Sequence, residues 1–283
     1  MFTYPEIDPI LIHFTETTGV RWYGLMYVIG FLAFLFLGKI RARRPHSPVK
    51  PEQVDDIMFY GAIGVIAGGR IGEMFFYQFS ELIADPMKLF RLWEPGMSFH
   101  GGLIGVLIAM LILARKWNLR FLQLGDFIAP MVPIGLGAGR MGNFINGELW
   151  GRPTDVPWGM VFPHVDAQAR HASQLYEFIG EGVLLFLILW FFSKKPRPLG
   201  AVSGLFLLGY GIARSTVEFF RVPDNSDFLG IEWLTQGQLL SIPMIIAGIG
   251  LLVWAYKSNN SDISNCTTKK VANKAKSKKG AKA

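Results

Sequence analysis

The chain has 283 residues, of which 51% are apolar and 17% are charged, against roughly 25% charged residues in a soluble domain. This composition excludes an ordinary soluble globular protein. The single cysteine, Cys266, excludes an intrachain disulfide and a cysteine metal site. The net charge of +7 comes largely from lysine and arginine in loops and in the tail, where basic residues govern the orientation of a membrane protein.

Long apolar runs predict helices that cross a bilayer, because each run must satisfy its own backbone groups over roughly 30 Å of hydrocarbon. The runs lack the alternation of a barrel strand. We predict an all-α integral membrane protein with seven spans, at about residues 20–38, 57–77, 99–114, 124–141, 174–192, 199–220 and 238–255. The fourth span holds Asp126, Pro130 and Pro133, which favours a place inside the bundle, where neighbouring protein satisfies freed backbone groups.

The placement of lysine and arginine predicts which loops face the cytoplasm. Nineteen basic residues fall in the loops after the first, third and fifth spans and in the tail, and only five fall on the other side. We therefore expect an N-terminus outside, a membrane domain over 1–256 and a basic, disordered cytoplasmic tail over 257–283. The first 19 residues carry three acidic residues and no lysine or arginine, which predicts no cleavable signal.

Four arginines lie within or at the edges of the predicted spans: Arg21, Arg70, Arg140 and Arg214. At bilayer depth each arginine raises the free energy of insertion by at least about 2.5–3.5 kcal/mol, so each of the four is a candidate functional residue. All four fall in the predicted outer half, and guanidinium groups grip phosphate through forked hydrogen bonds. The pattern predicts a pocket for an anionic phospholipid headgroup. The alternatives are an Arg21 that snorkels to the interface and an Arg70 neutralised by Glu73.

Two further spans carry polar residues near the same predicted membrane face. Tyr210, Arg214 and Glu218 follow at spacings of four and share one helix face, where Glu218 can hold Arg214. His100 begins the third span, where the positive helix end favours a neutral imidazole that can accept a proton. The alternatives are a purely structural ion pair and a hydrogen-bonded structural histidine.

The densest signal is the segment GLGAGRMGNFINGELWG at 135–151, which places Arg140, Asn143, Asn146 and Glu148 among six glycines. Glycines allow close approach of backbone to a ligand, and asparagines both donate and accept hydrogen bonds. The alternative is a glycine-rich helix end that merely packs tightly. The segment matches neither a dinucleotide-binding nor a phosphate-binding loop, and the chain lacks the HExxH and GxSxG motifs.

Six motifs stand out for comparison with known families: WYGLMY at 22–27, GGRIG at 68–72, HGGLIG at 100–105, GAGRMGNFINGELWGRPTD at 137–155, RHASQLYE at 170–177 and VEFFRVPD at 217–224. Together they resemble the bacterial prolipoprotein diacylglyceryl transferase family over about residues 3–255. The resemblance implies a transferase of lipoprotein biosynthesis in the bacterial inner membrane. It implies transfer of a diacylglyceryl group from phosphatidylglycerol to the lipobox cysteine of a preprolipoprotein, with a thioether and glycerol phosphate as products.

The resemblance also implies roles for individual residues. Arg140 and Arg214 would bind the phosphate and stabilise its growing charge, and His100 is the candidate base. Other positions match family residues tied to activity or lipid binding: Tyr23, Asn143, Asn146, Glu148, Gly151, Tyr210 and Glu218. Arg70 joins them as a predicted substrate-binding residue because of its place in the arginine pattern.

The expected fold is a bundle of seven helices with a small periplasmic head, mainly from about 144–173, with the loop at about 221–237 as a smaller contributor. The expected partners are phosphatidylglycerol, preprolipoproteins and membrane lipids, with no nucleic acid and no metal or other cofactor. A lipid transporter or flippase is the alternative class. It would show paired helix breaks in two related halves, whereas only the fourth span is visibly broken.

Overall fold

The computed structural model describes residues 2–15, 18–92, 94, 96–223 and 235–258. The predicted tail beyond residue 258 and most of the 221–237 loop lie outside these ranges. The helices of the described residues are α1 (Trp22–Ala42), α2 (Gln53–Phe76), α3 (Phe79–Ala84), a 3₁₀ turn (Pro86–Phe90), α4 (Phe99–Lys116), α5 (Phe121–Ile128), α6 (Val132–Ile145), α7 (Ser173–Glu177), a π-helical segment (Phe178–Leu184), α8 (Leu185–Phe192), α9 (Ala201–Val217) and α10 (Gln236–Lys257).

Within the described ranges, helices lie at each of the seven predicted positions, but only four or five of these positions have the length and apolar composition needed to cross a membrane. Among the described residues, α1, α4, α10 and the continuous run Ser173–Phe192 are long and apolar enough, and α5 with α6 makes a fifth, bent by 49°. The helix α9, with 17 residues, is apolar but shorter. The chain is therefore a helical, multi-pass membrane protein with four or five spans by length and composition.

The chain divides into two compact units, one formed by residues 1–36 with 128–283 and the other by residues 37–127. In the first unit, α6 meets the π-helical segment at two glycines. A Cβ on Gly182 would lie only 2.8 Å from Gly137 Cα, so a side chain at either position would push the two backbones apart. This contact sets α6 directly against the segment that follows α7.

The first unit also contains two small sheets. The strand β1 (Phe2–Thr3) pairs in parallel with β4 (Met160–Val161), which pairs antiparallel with β5 (Ala169–Arg170). The segment over 144–173 thus folds together with the N-terminal strand, a partner that the sequence did not predict. Beneath this sheet lies a buried cluster of Tyr4, Phe162 and Ala172. The second sheet is a hairpin of β2 (Ile10–His13) and β3 (Gly19–Arg21).

In the second unit, α2 and α4 pack along a row of glycines. A Cβ on Gly72 would lie 2.7 Å from Gly101 Cα and 3.1 Å from Ser98 Cβ. Ser98 caps α4, because its side-chain oxygen accepts a hydrogen bond from the Gly101 amide at 3.2 Å. The glycines therefore bring the beginning of α4 against the end of α2.

Candidate functional site

Arg140 lies on α6, the helix that follows the break in the predicted fourth span. Pro130 falls in that break and Pro133 in the first turn of α6, where its missing N–H has no helical partner to lose. Among the residues of α6, Gly137, Ala138 and Asn143 are buried. The same part of the helix carries Arg140 into the interior of the first unit, with its side chain only 18% exposed.

Two glutamates meet Arg140 there. Arg140 donates to Glu181 Oε2 from Nε at 3.3 Å and from Nη2 at 3.2 Å, and Glu177 Oε2 lies 3.3 Å from Nε. Both glutamates are completely buried. Since an unpaired buried charge is strongly destabilising, the arginine and the two carboxylates stabilise one another as a unit.

Glu177 is the shared member of this group. Its Oε1 accepts a hydrogen bond from Arg214 Nη1 at 2.6 Å and lies 3.6 Å from Arg221 Nη1. Arg214 Nη2 in turn lies 2.9 Å from Glu218 Oε2, the pair that the spacing of four predicts. We call the whole set the arginine–glutamate cluster: Arg140, Arg214, Arg221, Glu177, Glu181 and Glu218. Among the described residues three arginines face three glutamates, so these six side chains together are neutral when every one is ionised.

The local backbone around the glutamates is unusual. Glu177 ends α7, and Glu181 belongs to the π-helical segment Phe178–Leu184. π-Helical turns are rare and occur frequently at functional sites, because the wider turn changes the direction of the side chains. Here the π-helical segment carries Glu181, and Glu177 immediately precedes it.

The asparagines of the dense motif gather around Glu148. Its Oε1 accepts hydrogen bonds from Asn143 Nδ2 at 2.8 Å and from Asn146 Nδ2 at 3.3 Å. Gln174 Nε2 donates to the Glu148 carbonyl at 2.6 Å, which ties this turn to α7. The turn after α6 is thereby fixed to Asn143, on the helix that carries Arg140.

Two glycines make close contacts near the site: Gly142 touches the ring of Tyr23, and Gly151 touches two backbone carbonyls. A Cβ on Gly142 would lie 2.7 Å from Cδ2 of Tyr23, so the tyrosine ring rests directly on α6. A Cβ on Gly151 would lie 2.5 Å from the Phe220 carbonyl oxygen and 2.6 Å from that of His171. His171 also forms a side-chain hydrogen bond, because its Nδ1 lies 3.0 Å from the Tyr176 hydroxyl. Burial lowers the pKa of His171, which favours the neutral ring in this hydrogen bond.

The structure thus brings most of the predicted site residues into the first unit, on α1, α6, α9 and the turn after α6. The members of this group are Tyr23, Arg140, Asn143, Asn146, Glu148, Gly151, Tyr210, Arg214 and Glu218. Tyr210 packs against the apolar cluster of Ala129, Leu185, Leu189 and Val202. Arg21 ends β3 and is exposed.

Arg70 and His100 belong to the second unit. Arg70 is 2% exposed and donates to the carbonyl oxygens of Lys88 at 2.7 Å, Gly96 at 3.2 Å and Glu94 at 3.4 Å. We call this set the Arg70 clamp. Glu73, considered above as the neutralising partner, instead accepts a hydrogen bond from Gln78, and Glu94 Oε2 lies 3.8 Å from Arg70.

His100 sits in the first turn of α4, two residues after the capping Ser98, and its ring is exposed. The Ser98 amide donates to the Gly69 carbonyl at 3.0 Å. The Arg70 clamp and this backbone bond hold the segment before His100 on α2. The predicted contact of Arg70 with substrate and the predicted role of His100 as base remain predictions.

Sequence reasoning missed Glu177, Glu181 and Arg221. A signal was present, because the argument that makes an arginine in an apolar span a functional hypothesis applies equally to a glutamate there. Glu177 ends the RHASQLYE motif, and Glu181 follows four residues later inside the fifth predicted span. As for cofactors, no group of three or more potential metal ligands occurs among the described residues.

Comparison with known proteins gives consistent matches. The family model for prolipoprotein diacylglyceryl transferase matches residues 9–254. Relatives named phosphatidylglycerol–prolipoprotein diacylglyceryl transferase are 56% identical in Nitrosospira multiformis (91% of this chain, 90% of the relative), 57% in Pseudoalteromonas atlantica (91% and 92%) and 53% in Aliivibrio salmonicida (97% and 98%). These matches, which cover 91–97% of this chain, and the family model over residues 9–254 lead to one conclusion: the chain belongs to the prolipoprotein diacylglyceryl transferase family.

Proposed function

We infer that this chain transfers the diacylglyceryl group of phosphatidylglycerol to prolipoproteins, the first step of lipoprotein maturation. The inference rests on the arginine–glutamate cluster, to which α6 contributes Arg140 and α9 contributes Arg214. One shared carboxylate, Glu177, holds both arginines. Two guanidinium groups fixed side by side in an apolar bundle suit the phosphate of a lipid headgroup.

The chemistry is a displacement at a glycerol carbon of phosphatidylglycerol. The sulfur of the substrate's lipobox cysteine attacks that carbon, a C–S bond forms, and the C–O bond to phosphate breaks. The electron pair of the broken C–O bond leaves with glycerol phosphate. The nucleophile belongs to the prolipoprotein, so the enzyme needs none of its own. The enzyme binds the phosphate and stabilises the charge that grows on the leaving oxygens, a task for Arg140 and Arg214.

The thiol must lose its proton during this step. A free thiol has a pKa of about 8.5, and neighbouring cations lower it, so the arginines favour the thiolate. His100 is the candidate that accepts the proton. Asn143 on α6, Asn146 and Glu148 just after it, and Tyr23 against Gly142 of the same helix would fix the pose of the lipid through their polar groups and ring.

The neutral charge balance of the cluster has a functional consequence. Three arginines without carboxylates would repel one another and would be costly to bury. Glu177, Glu181 and Glu218 remove this repulsion and hold each guanidinium in one orientation. The site is therefore preorganised before the lipid arrives, which is how fixed charges stabilise a transition state effectively.

We place the enzyme in the bacterial inner membrane with seven spans, the N-terminus outside and the basic tail in the cytoplasm. The 19-to-5 asymmetry of basic residues supports this orientation. The small sheet over 144–173 would then be a periplasmic head, and the arginine–glutamate cluster would face the outer leaflet. A reporter fused after Ala283 should behave as cytoplasmic, and one inserted near Asp166 as periplasmic.

The direct test of function uses purified protein, phosphatidylglycerol and a lipobox peptide. The peptide should gain the mass of one diacylglyceryl group, and a matched peptide with serine in place of cysteine should not. Equal modification of both peptides would rule out alkylation of the thiol. A peptide unchanged under conditions in which the protein remains folded would overturn the proposed function.

A further inference from the structure

The guanidinium group of Arg140 offers two edges with a pair of donors each, and the protein uses one of them. The side edge, formed by Nε and Nη2, points at Glu181 Oε2. Within the described ranges, no hydrogen bond or ion pair involves Nη1. The end edge, Nη1 with the second hydrogen of Nη2, is therefore the one that can take a phosphate in a forked contact.

The position of Glu181 is built into the backbone. Glu181 lies in the π-helical segment, and the next residue, Gly182, meets Gly137 on α6 at the close contact described above. Gly137 precedes Arg140 by less than one helical turn. The same glycine contact therefore fixes the spacing between the helix that carries the arginine and the segment that carries the carboxylate.

A purely structural ion pair would be expected to use both carboxylate oxygens. Glu181 Oε1, however, is buried and has no hydrogen-bond partner among the described residues. Replacing a buried ion pair by apolar residues is often neutral or stabilising, so a half-used buried carboxylate calls for a functional reason. Glu177 Oε2 and Glu218 Oε2 also lack a hydrogen-bond partner among the described residues, but each lies at ion-pair distance from an arginine, 3.3 Å from Arg140 Nε and 2.9 Å from Arg214 Nη2 respectively.

We propose that Glu181 is a positioning residue for phosphate recognition: it occupies the side edge of Arg140 and thereby directs the end edge towards the lipid phosphate. Glu181 acts through Arg140 and does not itself touch the substrate. The proposal rests on the proposed function, since it presumes that Arg140 binds the phosphate of phosphatidylglycerol.

The test combines Glu181→Gln with Arg140→Lys in a double-mutant cycle on the full-length enzyme. Glutamine keeps the size of the side chain but loses the charge that fixes the guanidinium, and a misplacement of about 1 Å can cost on the order of 10²-fold. We expect kcat/KM for phosphatidylglycerol to fall by about 10- to 100-fold in Glu181→Gln. Lysine has no side edge to be held, so adding Glu181→Gln to Arg140→Lys should lower activity by less than about threefold.

Binding of phosphatidylglycerol to each detergent-solubilised variant provides a second measurement for variants that turn over too slowly. Glu181→Asp keeps the charge on a shorter arm and should be intermediate, with unfolding temperature close to that of the wild type. Glu81→Gln is the matched control, because Glu81 is an exposed glutamate of α3 that pairs with Lys88. It should leave kcat/KM unchanged.

Two results would overturn the proposal. One is wild-type kcat/KM in folded Glu181→Gln, and the other is an equal loss from Glu181→Gln in the wild-type and Arg140→Lys backgrounds. Wild-type turnover of the cysteine peptide is measured first. A wild type that fails this assay counts against the proposed function, whereas an active wild type with an uncoupled Glu181 counts against this proposal alone.

Discussion

Two buried arginine sites among the described residues solve the same physical problem in different ways. In the arginine–glutamate cluster, guanidinium groups face carboxylates, and Arg140 keeps 18% of its side chain exposed. In the Arg70 clamp, the guanidinium is 2% exposed and, among the described residues, donates to three backbone carbonyls of the segment before α4, while the nearest carboxylate, that of Glu94, lies 3.8 Å away. One arrangement leaves donors available to a ligand, and the other directs them into the fold.

The difference shows that an arginine in an apolar helix can serve the fold, by binding groups of the protein, as well as bind a ligand. A cation that donates to neutral carbonyls keeps its charge and orders a loop. A guanidinium that shares carboxylates is held in one orientation, and the carboxylates reduce the positive electrostatic potential around it. Substitutions at the two sites should therefore separate effects on catalysis from effects on stability.

The largest effect is expected for Arg140→Lys. Lysine keeps the charge but loses the planar fork that binds phosphate at two points, and removing one donor to a developing oxyanion typically costs about 10²–10³-fold in kcat. We expect a loss in this range in the peptide assay, and at least as much for Arg140→Ala. Near-normal turnover of Arg140→Lys at limiting phosphatidylglycerol would contradict the role of Arg140 as a phosphate clamp.

The next effect concerns His100→Gln, which keeps hydrogen-bonding capacity and removes the candidate base. General-base assistance is worth about 10²–10⁴-fold, but a thiol acidified by nearby arginines needs less help. We expect residual activity that rises with pH, because more thiolate forms unaided. The measurement is a pH profile of kcat/KM beside that of the wild type, and a variant whose relative loss is the same at every pH would contradict the assignment.

Arg70→Gln tests the structural role of the Arg70 clamp. Each buried carbonyl left without a donor costs about 1–3 kcal/mol, so the variant should unfold at a lower temperature in detergent, by several degrees. KM for phosphatidylglycerol should change little in protein that remains folded. Arg91→Gln is the control, because the half-buried Arg91 side chain pairs with the carboxylates of Asp85 and Glu94 and with no carbonyl of the clamp. A large rise in KM for Arg70→Gln without loss of stability would instead support contact of Arg70 with substrate.

The smallest effect is expected in the small sheet over 144–173. Hydrogen bonding to Arg170 lowers the pKa of Asp166. A carboxylate with a lowered pKa in the folded state stabilises it above the ordinary pKa of aspartate, and this contribution disappears as the pH falls through the lowered value. Thermal unfolding between neutral pH and about pH 3 should show a weaker pH dependence in Asp166→Asn. An identical dependence in both proteins would show that the pair contributes nothing.

The sequence alone determined those features that depend on local composition and spacing. Apolar runs predicted α1, α4, α10 and the run Ser173–Phe192, because hydrophobicity over the length of a span is a property of the run itself. The pair of Arg214 and Glu218 followed from a spacing of four on one helix. The break in the fourth span followed from its prolines.

The tertiary structure decided which partners the buried charges find. Arg140 meets Glu181 across 41 residues, and Arg214 meets Glu177 across 37. Arg70 takes carbonyls 18 and 26 residues away in place of the nearby Glu73. Helical periodicity relates residues only three or four positions apart. Contacts between distant segments depend instead on close packing, such as that of Gly137 against Gly182, and on the wider turn that carries Glu181, neither of which a pattern along the chain specifies.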